Sequence, residues 1–556
     1  MTRGAARSPR DSDDSTASPG TAPSAEVDRR TFLQRAGLGT AAAVAAPTLF
    51  ALGCSSTSSG SSSSPTTGAS GPGGTAAGTT PGSIASAAAR GGLLLDIPAA
   101  RSPVKHVVIL MMENRSFDHW MGWMAKDQAY LDAGRRLYGG DFAIDGNQSQ
   151  TFKGPTGDVT TTHMLELLKD GNPYRGCDHP DPGHGWKSGR AQRDGGFLAP
   201  GSTNDVFATG YYLADDLPFS SQLAKRFTIC DRSFASLLGP TYPNREYLLS
   251  AQSGGNKSNA LPKTADGFNW ETILDRLTKA GVSTKCYYTD LPVGALFGSR
   301  ALPLQHKIED FFTDCQNGDL PSVSFVDPAF TTGFRTDNHP HGDIRDGEKF
   351  QRDVFKAFAA SPNWENGVFL LTYDEWGGFF DHVKPPIFAD DHAGPDDDNF
   401  AQGGFRVPTI VASPFAQAGF VDHTQYDHTS ILRFLEWRFL GAPAQGTGGA
   451  SDWNLTMRDR NANNIGTALV VQPDPELRFD VDVKLDPGSP DCAPEPPKDG
   501  ATTTVAPTSA PTAAPASVSG ALGDKHSFEV ARDEGFFEMV GVRDVAPSPM
   551  VRDWVS

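Results

Sequence analysis

The chain has few cysteines, and they are widely spaced. No two of them form a C-x-x-C pair, which argues against a zinc ribbon or a thioredoxin-type redox site. In an oxidising compartment they allow one or two disulfides, whose partners the sequence does not assign. The six cysteines are Cys54, Cys177, Cys230, Cys286, Cys315 and Cys492.

Positive charge is also scarce. The 556 residues carry a formal net charge of −18 at pH 7. General nucleic-acid binding needs a positive field, so this balance argues against a nucleic-acid partner. No internal repeat is evident. Apolar residues make up 38% of the chain and include 34 Phe and 9 Trp, enough for a large core over part of its length.

The N-terminal region has the pattern of an export signal. Arg29-Arg30 and Phe32-Leu33 precede a weakly hydrophobic stretch at 36–52, so we expect export by the twin-arginine machinery. A permanent transmembrane helix is the lesser alternative. The stretch ends at Cys54 like a lipobox, which predicts lipidation of that cysteine; an ordinary cleavage site is the alternative. We therefore predict an extracytoplasmic protein, lipid-anchored to the outer face of the membrane or cell wall.

Composition divides the chain into five regions. We predict a signal region, a Ser/Gly/Thr-rich linker, one large domain, a Pro/Ala-rich linker and a short tail. Both linkers have the composition of disordered chain. The tail is too short for a core of its own, so it either docks on the large domain or is free. The regions are residues 1–54, 55–100, 101–485, 486–519 and 520–556.

Apolar runs that suit buried strands alternate with helical patterns in the large domain. This alternation, with polar residues at the strand ends, predicts an α/β fold with a doubly wound, mostly parallel central sheet and helices on both faces. Asp427-His428-Thr429-Ser430 predicts a cap for the last of the helices. The strand candidates are 107–112, 285–288, 322–326, 368–373 and 407–412, and the helix candidates are 270–280, 347–360 and 431–440.

Two of the predicted strands end in oxygen-bearing side chains. Glu113-Asn114 follow the strand at 107–112, and Asp374-Glu375 follow the strand at 368–373. If these strands are neighbours, the crowded oxygens would require a cation among them. Oxygen ligands suit calcium, magnesium or manganese, so we predict one divalent metal ion. The alternatives are a helix cap at the first pair and a turn at the second.

A candidate nucleophile lies in Gly239-Pro240-Thr241-Tyr242-Pro243. Pro243 suits the first turn of a helix, which would place Thr241 at a helix N-terminus where phosphate is favoured. A plain N-cap is the alternative role for Thr241. Asn244 and Arg245 add donors for a phosphoryl oxygen, although Arg245 suits a structural ion pair equally well.

Histidine recurs with aspartate in loops rich in proline and glycine. A single histidine in such a loop is usually a surface residue, but loops also carry the functional sites of these folds. The recurrence is therefore the stronger signal. The three groups are Asp178-His179-Pro180-Asp181 with His184, Asp337-Asn338-His339-Pro340-His341, and Asp381-His382.

Together these motifs resemble the bacterial phosphoesterase family that contains phospholipases C and some acid phosphatases, within the alkaline phosphatase superfamily. They occur in the family's order over about residues 104–440. The third motif reads His-Pro-His where many relatives have His-Pro-Pro. The motifs are 112–118, 239–245, 339–343, 372–378 with 381–382, and 407–414.

The resemblance implies an alkaline-phosphatase-like fold and a role for each matching residue. The metal ligands would be Glu113, Asn114, Asp374 and Glu375. The nucleophile would be Thr241. The residues that contact the phosphoryl group or protonate the leaving alcohol would be His184, His339 and His341. The substrate-binding donors would be Asn244, Arg245 and His382.

The implied activity is that of a phospholipase C, which would cleave phospholipids at the membrane surface to diacylglycerol and a phosphorylated headgroup through a phosphothreonine intermediate. An acid phosphatase acting on monoesters would share the metal and the nucleophile, so the motifs do not separate these two hypotheses. A third hypothesis is an inactive surface-binding protein. Retention of both acid pairs and of the Thr241 hydroxyl argues against it.

Overall fold

The protein is described by a computed structural model over residues 87–169, 172–331, 333, 335–446, 453–479, 483–489, 492 and 527–542. The twin-arginine and lipidation predictions, including Cys54, lie outside the described residues. So does most of both predicted linkers. Among the helices of the described ranges, none has the length and apolarity needed to cross a bilayer.

Twelve strands are assigned within the described ranges, and eight of them form one central sheet. The strands are β1 (His106–Met112), β2 (Thr151–Gly154), β3 (Gly157–Thr160), β4 (Thr162–His163), β5 (Gly210–Tyr211), β6 (Thr228–Cys230), β7 (Thr284–Tyr288), β8 (Gln305–Lys307), β9 (Val323–Asp327), β10 (Gly367–Tyr373), β11 (Ile410–Ala412) and β12 (Val421–Asp422). The order in the central sheet is β12-β6-β11-β10-β1-β9-β7-β8. The remaining strands pair as β2 with β3 and β4 with β5.

The central sheet is mostly parallel, as predicted. Strand β1 pairs in parallel with β10 and β9, and β7 pairs in parallel with β9 and β8. Strand β11 is the exception, because it runs antiparallel to both β10 and β6. Every residue of β1 after His106 is buried, so both faces of the sheet centre are covered. The predicted α/β class is therefore confirmed.

Helices connect the strands. Asp427 caps helix α10, its side chain accepting from Thr429 N at 3.1 Å, so the predicted cap is confirmed. The helices are α1 (Phe117–Met121), α2 (Gln128–Tyr138), α3 (Met164–Leu167), α4 (Trp186–Gly195), α5 (Ser220–Arg226), α6 (Thr241–Ser250), α7 (Ile273–Lys279), α8 (Ile308–Asn317), α9 (Ile344–Ala360), α10 (His428–Leu440), α11 (Met457–Asn461), α12 (Ser527–Asp533) and α13 (Phe536–Val540).

The predicted strand at 407–412 is shorter in the structure. Only Ile410–Ala412 is a strand, and Val407 N bonds separately to Ser233 O at 2.9 Å. Pro408 explains the difference, because proline has no N–H to donate to a neighbouring strand.

Packed structure reaches beyond residues 101–485 at both ends. On the N-terminal side, Leu94 is fully buried and Arg90 donates to Ala416 O at 2.6 Å. On the C-terminal side, Phe528 and Phe537 are buried. Of the two alternatives for the tail, the described part therefore docks on the large domain.

One disulfide joins distant parts of the chain. Cys177 is bonded to Cys492, 315 residues away in sequence. Cys230, Cys286 and Cys315 are buried free thiols. A disulfide indicates an oxidising compartment, which agrees with a location outside the cytoplasm.

Candidate active site

The two acid pairs are brought together by the register of β1 and β10. Met112 lies opposite Tyr373, so the residues that follow these strands leave the sheet side by side. Asn114 N donates to Asp374 Oδ1 at 3.2 Å. Glu113, Asn114, Asp374 and Glu375 are all fully buried. The convergence inferred from the strand ends is thus present in the structure.

Several oxygens in this cluster have no hydrogen-bond partner. They are Asn114 Oδ1, Asp374 Oδ2 and Glu375 Oε1, all buried. Burial and the Glu113 charge raise the pKa of Asp374 well above its usual range, and burial and the Asp374 charge do the same to the pKa of Glu375. Buried acceptors left in this way are costly unless a cation satisfies them. The donor set, all oxygen, therefore fits a hard divalent metal ion.

Thr241 lies beside this cluster. It is the first residue of α6, and its Oγ1 is 3.5 Å from Glu113 Oε2, a long contact. Pro243 lies in the first turn of α6, where a missing N–H costs nothing. The N-cap position belongs to Pro240, and the Thr241 hydroxyl faces Glu113. The N-cap alternative for Thr241 is therefore wrong.

Asn244 shapes the turn that carries the hydroxyl. Its Oδ1 accepts from Leu237 N at 2.9 Å, and its Nδ2 donates to Gly239 O at 2.8 Å. Both ends of the amide are thus bonded to the backbone just before Thr241. In this structure Asn244 positions the turn, and it has little capacity left for the substrate role that the resemblance implied.

Arg245 lies one helical turn after Thr241 and forms ion pairs with the acids. Its Nε donates to Glu113 Oε1 at 2.8 Å, and its Nη1 donates to Asp327 Oδ1 at 3.1 Å. Burial raises the pKa of Glu113 even though the charges of Arg245 and His184 act to lower it. The structural ion pair that the sequence left open for Arg245 is the observed arrangement.

His184 and His339 lie together with Asp181. Asp181 Oδ2 is 4.0 Å from His184 Nδ1 and 3.8 Å from His339 Nε2. His184 Nδ1 bonds to Pro182 O at 2.8 Å, and since a carbonyl only accepts, that nitrogen carries the proton. The Nε2 atom of neutral His184 is then a proton acceptor. One ligand atom from each of Asp181, His184 and His339 lies within 4.8 Å of the other two. These three residues therefore also have the geometry to hold a cation.

His341 and His382 make other contacts. His341 Nε2 donates to His179 O at 2.8 Å, which joins the two histidine loops. His382 bonds to Asp118 at 2.6 Å and to Asp145 at 2.9 Å, in an ion cluster that also contains Arg406. Arg406 donates to Asp118 and Asp381 as well, so a guanidinium already balances the carboxylates of this second cluster.

Three residues of the site had no assigned chemical role in the sequence. Asp327 ends β9, and in the sequence it was visible only as an acid at the end of a predicted strand. Because β9 lies next to β1, Asp327 joins the acid cluster. Asp181 was visible only as one aspartate among several in the first histidine loop. Arg115 donates to Asn338 O at 2.8 Å, which ties the residue after Asn114 to the loop that carries His339.

Comparison with known proteins gives the same family as the motifs. A profile described as the phosphoesterase family matches residues 104–440. Non-specific phospholipase C5 of Arabidopsis thaliana is 32% identical over 361 residues, which cover 59% of this chain and 69% of the relative. Phospholipase C B of Mycobacterium tuberculosis is 30% identical over 400 residues, which cover 62% of this chain and 75% of the relative.

Among solved structures, a protein in the alkaline phosphatase superfamily from Vibrio parahaemolyticus matches with 12% identity and a TM-score of 0.28, over 46% of this chain and 64% of that one. The sequence match carries the assignment, since the profile covers more than half of the chain and includes both acid pairs, Thr241 and all three histidine groups. The chain therefore belongs to the phosphoesterase family, together with these phospholipase C relatives.

Proposed function

We propose that the chain is an exported, metal-dependent phospholipase C that cleaves phospholipid phosphodiesters to diacylglycerol and a phosphorylated headgroup. The observation that carries the proposal is the Thr241 hydroxyl, 3.5 Å from Glu113 Oε2 and beside buried oxygens that lack hydrogen-bond partners. The relatives named phospholipase C support the choice of substrate class.

The proposed ligands of the metal ion are Glu113, Asn114, Asp374 and Glu375. A divalent cation supplies two things in such a site: it lowers the pKa of a nearby hydroxyl, and it offsets the charge of the phosphate. Arg245 holds the Glu113 carboxylate in a fixed orientation, and Asn244 holds the turn that aims Thr241.

The proposed chemistry proceeds in two steps. The Thr241 hydroxyl passes its proton to solvent, its oxygen attacks phosphorus, the bond from phosphorus to the alcohol oxygen of diacylglycerol breaks, and a protonated histidine gives that oxygen its proton. His184 suits this role through Nε2, because its Nδ1 is bonded to Pro182 O. Water then attacks phosphorus and breaks its bond to the Thr241 oxygen, which takes a proton back from solvent, and the now neutral histidine accepts the proton of the water. Two easier displacements replace a single difficult one.

Two substrates test the reaction. We expect the full-length protein to hydrolyse p-nitrophenyl phosphorylcholine faster than p-nitrophenyl phosphate. The reverse preference would indicate the acid phosphatase, and no hydrolysis of either, with no bound metal, would indicate a binding protein.

Thr241→Ala and Asp374→Asn should each abolish turnover without lowering the unfolding temperature by more than a few degrees. The exposed residues Thr313 and Asp397 provide matched controls as Thr313→Ala and Asp397→Asn.

Metal removal tests the cofactor. We expect EDTA to abolish hydrolysis and to lower the unfolding temperature, because it would return uncompensated carboxylates to a buried site. Adding back calcium, magnesium and manganese separately should identify the ion. Unchanged activity after complete removal of metal would contradict the proposal.

Export and anchoring form a separate part of the proposal. The disulfide supports a location outside the cytoplasm. Arg29→Lys with Arg30→Lys should retain the protein in the cytoplasm, as measured by cell fractionation. Cys54→Ala should release it from the membrane fraction and abolish its labelling with radioactive palmitate. Membrane association that survives Cys54→Ala would rule out lipidation as the anchor.

A further inference from the structure

The C-terminal segment, residues 527–542, lies outside the stretch matched to the family and yet packs on the nucleophile helix α6. Helices α12 and α13 form this segment, and Phe528 at its start is fully buried. This segment follows a predicted linker and buries an aromatic ring beside the site. From this position it can affect how the residues of the site are oriented.

Its first contact is with Tyr242, the residue after Thr241. The Tyr242 hydroxyl donates to Ser527 O at 2.7 Å, and the rings of Tyr242 and Phe528 lie 4.6 Å apart. Tyr242 is fully buried. The segment therefore fixes the first turn of α6, the turn that determines where the Thr241 oxygen points.

Its second contact is with Arg245. The rings of Phe528 and Phe330 stack at 4.8 Å, and the guanidinium carbon of Arg245 lies 6.0 Å from the first ring and 5.0 Å from the second. Cation–π attraction and the exclusion of water both favour a guanidinium held in this position. The same guanidinium donates to Glu113 at 2.8 Å. Phe528 is thus two contacts away from a proposed metal ligand.

A third contact reaches the second histidine loop. Glu529 Oε2 lies 4.0 Å from Arg335 Nη2, and Arg335 Nη1 donates to Pro340 O at 3.2 Å, between His339 and His341. The segment consequently touches two structures that converge on the substrate phosphate, the nucleophile helix and the histidine loop.

We propose that Phe528 is a positioning residue of the active site, which holds Arg245 against Glu113 and the first turn of α6 in register with the metal-binding acids. This inference rests on the proposed function. It assigns to the start of the C-terminal segment a part in catalysis, so that the catalytic unit extends to at least Glu529.

Phe528→Ala in the full-length protein tests the inference. We expect kcat for p-nitrophenyl phosphorylcholine to fall about tenfold with KM within about twofold, since positioning is lost and no substrate contact is removed. We also expect the Kd for Mn²⁺, measured by isothermal titration, to rise about tenfold, the low end of the effect of losing an outer-shell partner. Phe528→Leu retains apolar volume and should restore most of both values.

Met539→Ala is the matched control. Met539 lies on α13 of the same segment and is 42% exposed, so its substitution should change neither kcat nor Mn²⁺ affinity. The thermal unfolding midpoint of each variant reports whether the domain is folded. If Phe528→Ala does not fold, the smaller truncation Phe528→Val replaces it, and we expect kcat and Mn²⁺ affinity to fall below the values of Phe528→Leu; equal values in these two variants and the wild type would contradict the inference.

Unchanged kcat and unchanged Mn²⁺ affinity in folded Phe528→Ala would overturn the inference and leave the proposed function intact. A rise in kcat would also overturn it, because it would mean that the segment obstructs the site. A wild-type protein that neither hydrolyses the two substrates nor binds Mn²⁺ would overturn the proposed function, and the inference with it.

Discussion

At the scale of single residues, polar side chains near the site differ in whether they are already bonded. Asn244 is bonded to the backbone at both ends of its amide, whereas Asn114 has buried oxygen and nitrogen atoms with no hydrogen-bond partner. In the sequence each is an asparagine next to a charged candidate site residue, Glu113 for Asn114 and Arg245 for Asn244. Only the contacts separate the residue that builds the turn from the one that is available to a ligand.

Asn244→Ala tests this distinction. We expect the free energy of unfolding to fall by about 1–3 kcal/mol, because the buried Leu237 N and Gly239 O each lose a partner. We also expect kcat to fall while KM stays within about twofold, since the turn aims Thr241 and does not bind the headgroup. Urea denaturation and steady-state kinetics measure the two effects. Asn463→Ala, at an exposed position, serves as the control and should change neither.

His382 should make stability depend on pH. Burial alone would lower the pKa of His382, but hydrogen bonds to Asp118 and Asp145 outweigh it and raise the pKa to about 9. A raised pKa in the folded state gives stability that is complete below the unfolded value of about 6.5 and is lost as pH rises through about 9. The loss should be about 1–2 kcal/mol, because solvent around the partly exposed ring reduces the full value.

Urea denaturation of the wild type and of His382→Gln between pH 6 and pH 10 measures this term. The two curves should differ most at low pH and converge at high pH. A constant difference between them across the range would show that the ring contributes through packing alone. Activity at pH 7 should change little in His382→Gln, because His382 belongs to the ion cluster with Arg406.

At the scale of elements, the arrangement of the proposed metal ligands depends on how closely two strand ends approach. Gly377, in the turn after β10, has φ +63°, and a Cβ there would lie 2.1 Å from the carbonyl oxygen of Asn114. No side chain fits without moving the backbone of one acid pair relative to the other. Gly377 follows the acid pair for which the sequence also allowed a plain turn, and in the structure it lets the two strand ends meet.

Gly377→Ala should disrupt this approach. We expect Mn²⁺ affinity to fall by about 10–100-fold, because the backbone that carries Asn114 must shift. Gly441→Ala is a matched control: Gly441 has φ +81° at the end of α10, and its Cβ would meet nothing within 4 Å. In Gly441→Ala the free energy of unfolding should fall by about 1–2 kcal/mol, because alanine is strained in the left-handed conformation. The Mn²⁺ affinity should be unchanged. Equal losses of affinity in both variants would contradict the close-approach explanation.

At the scale of the whole molecule, segments far apart in sequence meet at the site. The disulfide between Cys177 and Cys492 joins the first histidine loop to the region after the large domain. The C-terminal segment then packs on α6. The loop that carries Asp181 and His184 is therefore held from both sides, by the disulfide and by the hydrogen bond from His341 to His179 O.

Breaking the disulfide should destabilise the protein and impair catalysis. We expect Cys177→Ser to reduce the free energy of unfolding by about 2–5 kcal/mol, because the unfolded chain loses a long covalent loop. We also expect kcat to fall as the first histidine loop loosens. Dithiothreitol should lower the unfolding temperature of the wild type toward that of Cys177→Ser and leave the variant unchanged. A wild type indifferent to full reduction would contradict this account.

The amino-acid sequence by itself determined the α/β class, the parallel strands β1 and β10, and the acid pairs at their ends. It could do so because apolar runs, turn residues and strand-end polarity are local patterns. The ordered motifs also determined the family. The shortened strand β11 was less predictable, since Pro408 interrupts an otherwise strand-like run.

Only the tertiary structure decided which side chains are bonded to one another. Asp327 joined the acid cluster because β9 neighbours β1, Arg245 proved to be an ion-pair partner of Glu113, and His382 proved to belong to the Arg406 cluster. The docking of Phe528 on Tyr242 likewise joins residues 286 positions apart along the chain. Such contacts depend on the packing of whole elements, and packing is not encoded in any short stretch of residues.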